Sequence, residues 1–156
     1  HKFPGYVRIK ENFGSRFRKS IFHSRSLQYI TVKINGKKIT FVNFHGLWDG
    51  QKKDTKDKLT QSKNIINFLG KLNQPYIFCG DLNLPPDSKS LKKFEDFGLK
   101  NLIKDNNINL TRSSLYKGSN HLADYIFTSP EIKITKFQVL PNEVSDHKPL
   151  YIKLAC

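Results

Sequence analysis

The chain has 156 residues, 37% of them hydrophobic, and 27 Lys and Arg against 13 Asp and Glu give a formal net charge of +14. That length suits one domain, residues 1–156, with a real core; no apolar run approaches the roughly 20 residues of a membrane-spanning helix, and no secretory signal stands near the start. Two cysteines, Cys79 and Cys156, make no disulfide framework, which points to a reducing and so cytoplasmic setting.

Residues 1–24 are basic and aromatic without a clear period, and read as loop or edge structure. The sequence opens His-Lys-Phe-Pro without Met, in ordinary domain sequence, so the N-terminus is expected to be incomplete. "SLQYITVKI" (26–34) alternates, Asn35-Gly36 is a strong hairpin signal, and "ITFVNF" (39–44) supplies the return strand. A helix is predicted from about Asp54 to Leu72, capped by Asp54 or Thr55, with a stripe of Leu59, Ser62, Ile66 and Leu69. "YIFC" (76–79) is a buried strand that Pro85 and Pro86 forbid from continuing. Asp87 or Ser88 caps a short helix bearing Leu91, Phe94 and Phe97 and closed by Gly98. Residues 99–121 read mostly as loop, and "LADYIF" (122–127), "KITKFQVL" (133–140) and "PLYIKL" (149–154) as three further strands. Strands with two helices between or beside them define a layered α/β or α+β class.

Polar residues recur at the margins of these strands. Asp81 and Asn83 lie two apart in "CGDLN", so in extended backbone they project to one side while Leu82 turns inward. "NFHGLW" ends the hairpin strand with His45, "HLADYIF" puts Asp124 at a strand start, and "VSDHKPL" puts Asp146 and His147 just before the last strand. Each has a bland reading as a turn former or a hydrogen-bonded surface residue. Four together at sheet margins ask for a site. The charge suggests a polyanionic partner, although only five of the 27 basic residues are Arg, and abundant Lys and Asn also fit a compositional bias.

"NFHGLW", "CGDLN", "ADYIF" and "SDHKPL", in this order and at these intervals, resemble the endonuclease/exonuclease/phosphatase superfamily, which includes deoxyribonuclease I, exonuclease III-like abasic endonucleases, neutral sphingomyelinases and inositol polyphosphate 5-phosphatases. The likeness spans about Arg25 to Leu154. It implies a two-sheet layered sandwich of the deoxyribonuclease I type with a site at one end, and Mg²⁺- or Mn²⁺-dependent hydrolysis of phosphate esters. By position in the motifs, His147 is the proton-shuttling histidine and Asp124 holds its ring. Asp146 is a metal ligand, Asp81 orients or deprotonates the attacking water, and Asn83 binds the phosphate or a metal-bound oxygen. His45 donates to a phosphate oxygen, and Arg25 resembles a phosphate-contacting arginine of some members. These residue types suit the chemistry: a phosphodiester repels nucleophiles, so catalysis is largely positioning and charge neutralisation, and a carboxylate-held His exchanges protons near neutrality.

Family members carry an Asn and then a Glu, the principal metal carboxylate, on two strands upstream of these motifs, whereas Glu11 is the only acidic residue here before the hairpin. The chain therefore reads as the C-terminal portion of such an enzyme, expected on its own to hold Mg²⁺ weakly, to turn over little and to associate through an open sheet edge. A nuclease acting on DNA is the favoured activity. A phosphatase or lipid-headgroup phosphodiesterase on the same site, and a catalytically silent nucleic-acid-binding domain, are the alternatives. Ser145, Asp146 and His147 do not form a serine-hydrolase triad, because three adjacent residues diverge, and no histidine has zinc-ligand spacing.

Overall fold

The computed structural model describes residues 5–8, 25–50, 52–119 and 121–155; the reading of residues 9–24, and with it Glu11, lies outside the described residues. In chain order the elements are β1 (Gly5–Arg8), β2 (Ser26–Ile34), β3 (Lys37–Phe44), α1 (Lys56–Leu69), β4 (Tyr76–Asp81), α2 (Lys89–Asp96), β5 (Lys100–Asn101), α3 (Leu102–Asp105), β6 (Asp124–Thr128), β7 (Ile134–Val139) and β8 (Leu150–Leu154).

Asn35 and Gly36 take φ of 46° and 83°, the left-handed backbone that a two-residue hairpin turn demands. They join β2 to β3 in a register that pairs Leu27 with Phe44 and Ile34 with Lys37. Returning from β3 to the parallel strand β4 requires a crossover, and α1 makes it. The larger sheet runs β1-β2-β3-β4-β6-β5, and β7 and β8 form a second, two-stranded sheet.

Alternation along the strands builds two cores. One face of the large sheet gives Leu27, Val42, Phe44, Phe78, Tyr125 and Phe127 to a cluster closed by Ile65 and Leu69 of α1, Leu91 and Phe94 of α2, and Ile103 of α3. Phe94 packs at 5.2 Å between ring centroids against both Phe78 and Phe127. The other face gives Ile77 and Ile126, with Phe41 and Cys79 at their flank, to a core shared with Ile132, Ile134, Phe137 and Ile152. Helices, large sheet and small sheet thus lie in three layers, the two-sheet α/β sandwich expected from the motifs.

Two readings need correction. The first helix runs Lys56–Leu69, within the predicted span, and its buried face is Lys58, Gln61, Ser62, Ile65 and Leu69. Leu59 and Ile66 are half-buried at its edge, because the Lys58 ammonium has a carboxylate to follow inward, Asp49 at 3.0 Å. Residues 99–121, read mostly as loop, contain β5 and α3, where Leu102 and Ile103 are buried in the two cores.

Thr55 is the N-cap of α1 and Ser88 that of α2. Asp54, offered as the first helix's cap, instead reaches the second: its carboxylate accepts from Lys89 N at 2.6 Å, and from Ser90 N and Oγ at 3.0 and 2.5 Å. Burial pushes this carboxyl upward, but the Ser90 hydroxyl and the two amides outweigh it and hold it below the ordinary aspartate value. A carboxyl depressed in the fold stabilises above its unfolded pKa and loses that contribution as pH falls through its folded pKa. Asp54→Ala should therefore cost about 1 kcal/mol at neutral pH, and urea titrations should show the difference vanishing at acid pH.

Candidate active site

The site forms where β3 and β4 end at their C-termini and β6 begins, the usual ligand end of a sheet with parallel strands. The ends approach closely because two glycines allow it. A Cβ on Gly80, at φ +143°, would lie 2.0 Å from the Phe44 carbonyl oxygen, and one on Gly46 2.3 Å from that of Leu82. Gly46 N donates to Asp81 O at 2.7 Å, and Asn83 Nδ2 donates to Gly46 O at 3.3 Å. Gly80→Ala should cost about 3 kcal/mol, the upper range for over-packing, read as a lower midpoint of chemical unfolding.

Asn83 is buried with φ 53°, a left-handed backbone that Asn tolerates, and its amide donates to Asp81 Oδ1 at 2.9 Å. The loop beyond it is tied down by the Tyr125 hydroxyl, which donates to Leu84 O at 2.8 Å; burial first, then Asp124, push that phenol's pKa upward. Cys79 lies two residues before Asp81 on the same face, and burial pushes its thiol up to about 11, so it is no thiolate at neutral pH.

Antiparallel pairing places Asp81 directly opposite Asp124. Into this pair comes His147, whose Nδ1 is 2.9 Å from both Asp124 oxygens and whose Nε2 is 3.6 Å from Asp81 Oδ2. Ligand atoms of Asp81, Asp124 and His147 all lie within 4.8 Å of one another, the one such grouping among the described residues. This acid–histidine grouping is one that could hold a divalent metal ion, its carboxylates supplying oxygen donors.

Asp146 stands next to His147, but its half-exposed carboxylate accepts from Arg112 Nη1 at 2.9 Å. It lies beside the Asp81–Asp124–His147 grouping rather than within it. The side chain of His45 is exposed and makes no hydrogen bond or ion pair with a described residue, although its neighbour Gly46 is bonded to Asp81 and Asn83. Arg25 precedes β2 at the same end of the sheet, with its Nε buried and unpartnered. The structure therefore gathers Asp81, Asn83, Asp124, Asp146 and His147, and leaves His45 and Arg25 at the margin.

Two further residues belong to the cluster. Thr111, fully buried, donates to Asp124 Oδ2 at 2.9 Å and accepts from the amides of Ala123 and Asp124 at 3.2 and 3.3 Å. Arg112, 5% exposed, pairs with Asp146, approaches Asp81 Oδ2 at 3.5 Å and contacts His147 Nε2. A guanidinium cannot accept, so Nε2 accepts from Arg112 and Nδ1–H donates to Asp124. Arg112 is bridged to His147, and its neighbours are bonded to the 146–148 segment, Ser113 N to Asp146 O and Lys148 N to Thr111 O at 3.0 and 2.8 Å.

The fold and site define a two-sheet α/β protein with an acid–histidine cluster at its strand ends. The family model described as "Endonuclease/Exonuclease/phosphatase family" matches residues 15–147, and the chain belongs to that family, whose members are phosphoric ester hydrolases. No curated protein sequence matches the chain significantly. Among solved structures it is similar to a mannosyl-6-phosphatase of Bacteroides thetaiotaomicron (20% identity, TM-score 0.73, 99% of this chain and 66% of that one). It is also similar to an endonuclease/exonuclease/phosphatase of Bacteroides vulgatus (18%, TM-score 0.74, 98% and 64%). TDP2 of D. rerio, complexed with a single-strand DNA product, matches at 12% identity and a TM-score of 0.67, over 99% of this chain and 68% of that one. The chain thus spans just under two thirds of the length of the first two structures. No helix among the described residues is long and apolar enough to cross a membrane.

Proposed function

We propose that the protein hydrolyses phosphodiesters of nucleic acid with Mg²⁺ or Mn²⁺, on the site formed by Asp81, Asn83, Asp124, Asp146 and His147. The observation that carries this reading is the convergence of Asp81, Asp124 and His147, from two strands and a loop, within 4.8 Å. A silent binding domain gains nothing from placing like charges face to face.

Asp81 and its neighbours would hold the divalent ion, which supplies charge neutralisation at the phosphate oxygens. His147 has Nδ1 committed to Asp124, so Nε2 is the nitrogen that exchanges a proton with water or leaving group. Asp124, fixed by Thr111, keeps the ring in that tautomer. Asp81 Oδ2 lies 3.6 Å from the same Nε2 and would orient the attacking water. Asn83, whose side chain is held by Gly46 O, would bind a phosphate oxygen, and His45 and Arg25 would meet the substrate from the margin.

The preference for a polynucleotide rests on charge. Besides the net +14, a groove of about 700 Å³ between α1 and α2 is lined by Lys56, Lys63, Lys89, Lys92 and Lys93, with Asp96 as its one acid. Both helices begin just after loops that leave the site's strands, α1 after His45 and α2 after Asn83. If three of these lysines engage phosphates, KM for duplex DNA should rise about fortyfold between 50 and 200 mM salt, from a slope of about 0.9 per contact. A monophosphate ester should show no such slope.

The second reading, a phosphatase or headgroup phosphodiesterase, is favoured by the likeness to a mannosyl-6-phosphatase. Parallel assays of plasmid DNA, oligonucleotides, sugar phosphates, inositol phosphates and sphingomyelin with Mg²⁺ or Mn²⁺ separate the two. Cleavage of DNA supports the nuclease reading, and turnover of a small or lipid phosphate alone replaces it.

A further inference from the structure

We propose that Arg112 is a tethered cation of the site: it holds Asp146 and Asp81 while no divalent ion does, and turns to the substrate's phosphate once an ion takes those carboxylates. The phosphate half rests on the phosphoesterase reading; the competition with metal does not.

Four observations support the assignment. Arg112 is 5% exposed, with Nη1 2.9 Å from Asp146 and Nη2 3.5 Å from Asp81, so its two amino groups lie on carboxylates that a cation would use. It also covers Nε2 of His147, the nitrogen left for proton exchange. A guanidinium resting there blocks the histidine, so turnover requires it to move. Its Nε is buried with no hydrogen-bond partner, so the fork is incompletely satisfied where it rests. Finally, its Cζ lies 4.5 Å from the centroid of the Tyr116 ring, a face along which a planar cation slides without losing its stacking.

Three carboxylates, Asp81, Asp124 and Asp146, crowd this end of the sheet, and Arg112 is the one guanidinium that touches any of them among the described residues. A divalent ion on the same oxygens repels the guanidinium and removes its partners. A phosphate arriving at the ion then offers the planar, bidentate acceptor that an arginine fork matches best. The same side chain therefore neutralises the empty site and clamps the filled one.

Titration calorimetry tests both halves without turnover. In Mn²⁺ titrations without substrate, Arg112→Met should bind at least about tenfold more tightly than wild type, while Arg112→Lys, still a cation, should stay within about threefold. Inorganic phosphate added to the Mn²⁺-saturated protein should bind wild type at least about tenfold more tightly than Arg112→Met. Thermal melts of both variants verify that they fold, and Arg112→Lys carries the phosphate comparison, with intermediate affinity, if Arg112→Met does not. Unchanged or weaker Mn²⁺ binding by Arg112→Met, or by Arg112→Lys should it alone fold, overturns the competition. Equal phosphate binding overturns the clamp. Failure of the phosphoesterase reading would show separately, as hydrolysis of none of the phosphate esters by the chain together with its upstream segment.

Discussion

Replacing His147 with alanine, in the form of the protein that turns over, should lower kcat by about a hundredfold or more and leave KM nearly unchanged. Nδ1 of this ring is fixed by both oxygens of Asp124 at 2.9 Å, and Nε2 is directed toward Asp81 at 3.6 Å. The imidazole therefore has one nitrogen for orientation and one for chemistry. Nothing else in the cluster replaces it: Asp81 and Asp146 are acceptors, and Arg112 does not deprotonate. Asp124→Asn should cost somewhat less, because the ring stays in place but its preferred tautomer is lost. Combined with His147→Ala, the Asp124 change should add almost nothing, since Asp124 acts through the ring. Additive losses in steady-state rates would mean that Asp124 has a role of its own.

The parts of this site that were legible in the sequence are those whose cause is local. Asn35-Gly36 specifies its turn through two positive φ angles, whatever the rest of the chain does. The prolines after Asn83 end the strand, although β4 already stops at Asp81 and the left-handed turn at Asn83, φ 53°, replaces the extended alternation expected there. Asp124 and His147 were paired only through the motifs, since 23 residues separate them and no periodicity reports such a contact. Thr111 and Arg112 carry no local signal because their partners are equally remote: Arg112 meets Asp146 across 34 residues and Thr111 meets Asp124 across 13. Their own stretch, "INLTRSSLYK", has no regular pattern. A faint signal exists, in that Arg112 is the only arginine after Arg25, where every other Lys or Arg is a lysine, and buried pairing with carboxylates favours Arg. The buried face of α1 was misplaced for a related reason. Lys58 has no place in an apolar stripe, yet it is 2% exposed because Asp49, nine residues before it, receives its ammonium. Asp146 is the instructive case: its position in "SDH" implies a metal ligand, and the motif carries no sign that Arg112 engages the same carboxylate.

Asp81→Asn should separate stability from activity most sharply. The carboxylate lies opposite Asp124 in the β4–β6 register, and like charges directly opposite destabilise a sheet. An asparagine keeps the oxygen that accepts from Asn83 N at 2.9 Å, so the turn after β4 survives. It loses an ion pair with Arg112 that is already long, at 3.5 Å, and Arg112 retains Asp146 at 2.9 Å. Without metal the variant should therefore be as stable as wild type, or more stable by up to about 1 kcal/mol, as happens when a charge kept for function is removed. With Mn²⁺ the order should reverse. A site filled at a hundred times its Kd gains about 2.7 kcal/mol, and the variant, short of a donor in the one cluster that suits the ion, should gain little of it. Turnover should fall about a thousandfold, equivalent to roughly 4 kcal/mol of transition-state stabilisation. Two thermal melts per protein, with and without Mn²⁺, read the crossing directly. A loss of stability in the absence of metal would show that Asp81 serves chiefly to hold Arg112 in the fold, and the place given to it at the reacting phosphate would have to be abandoned.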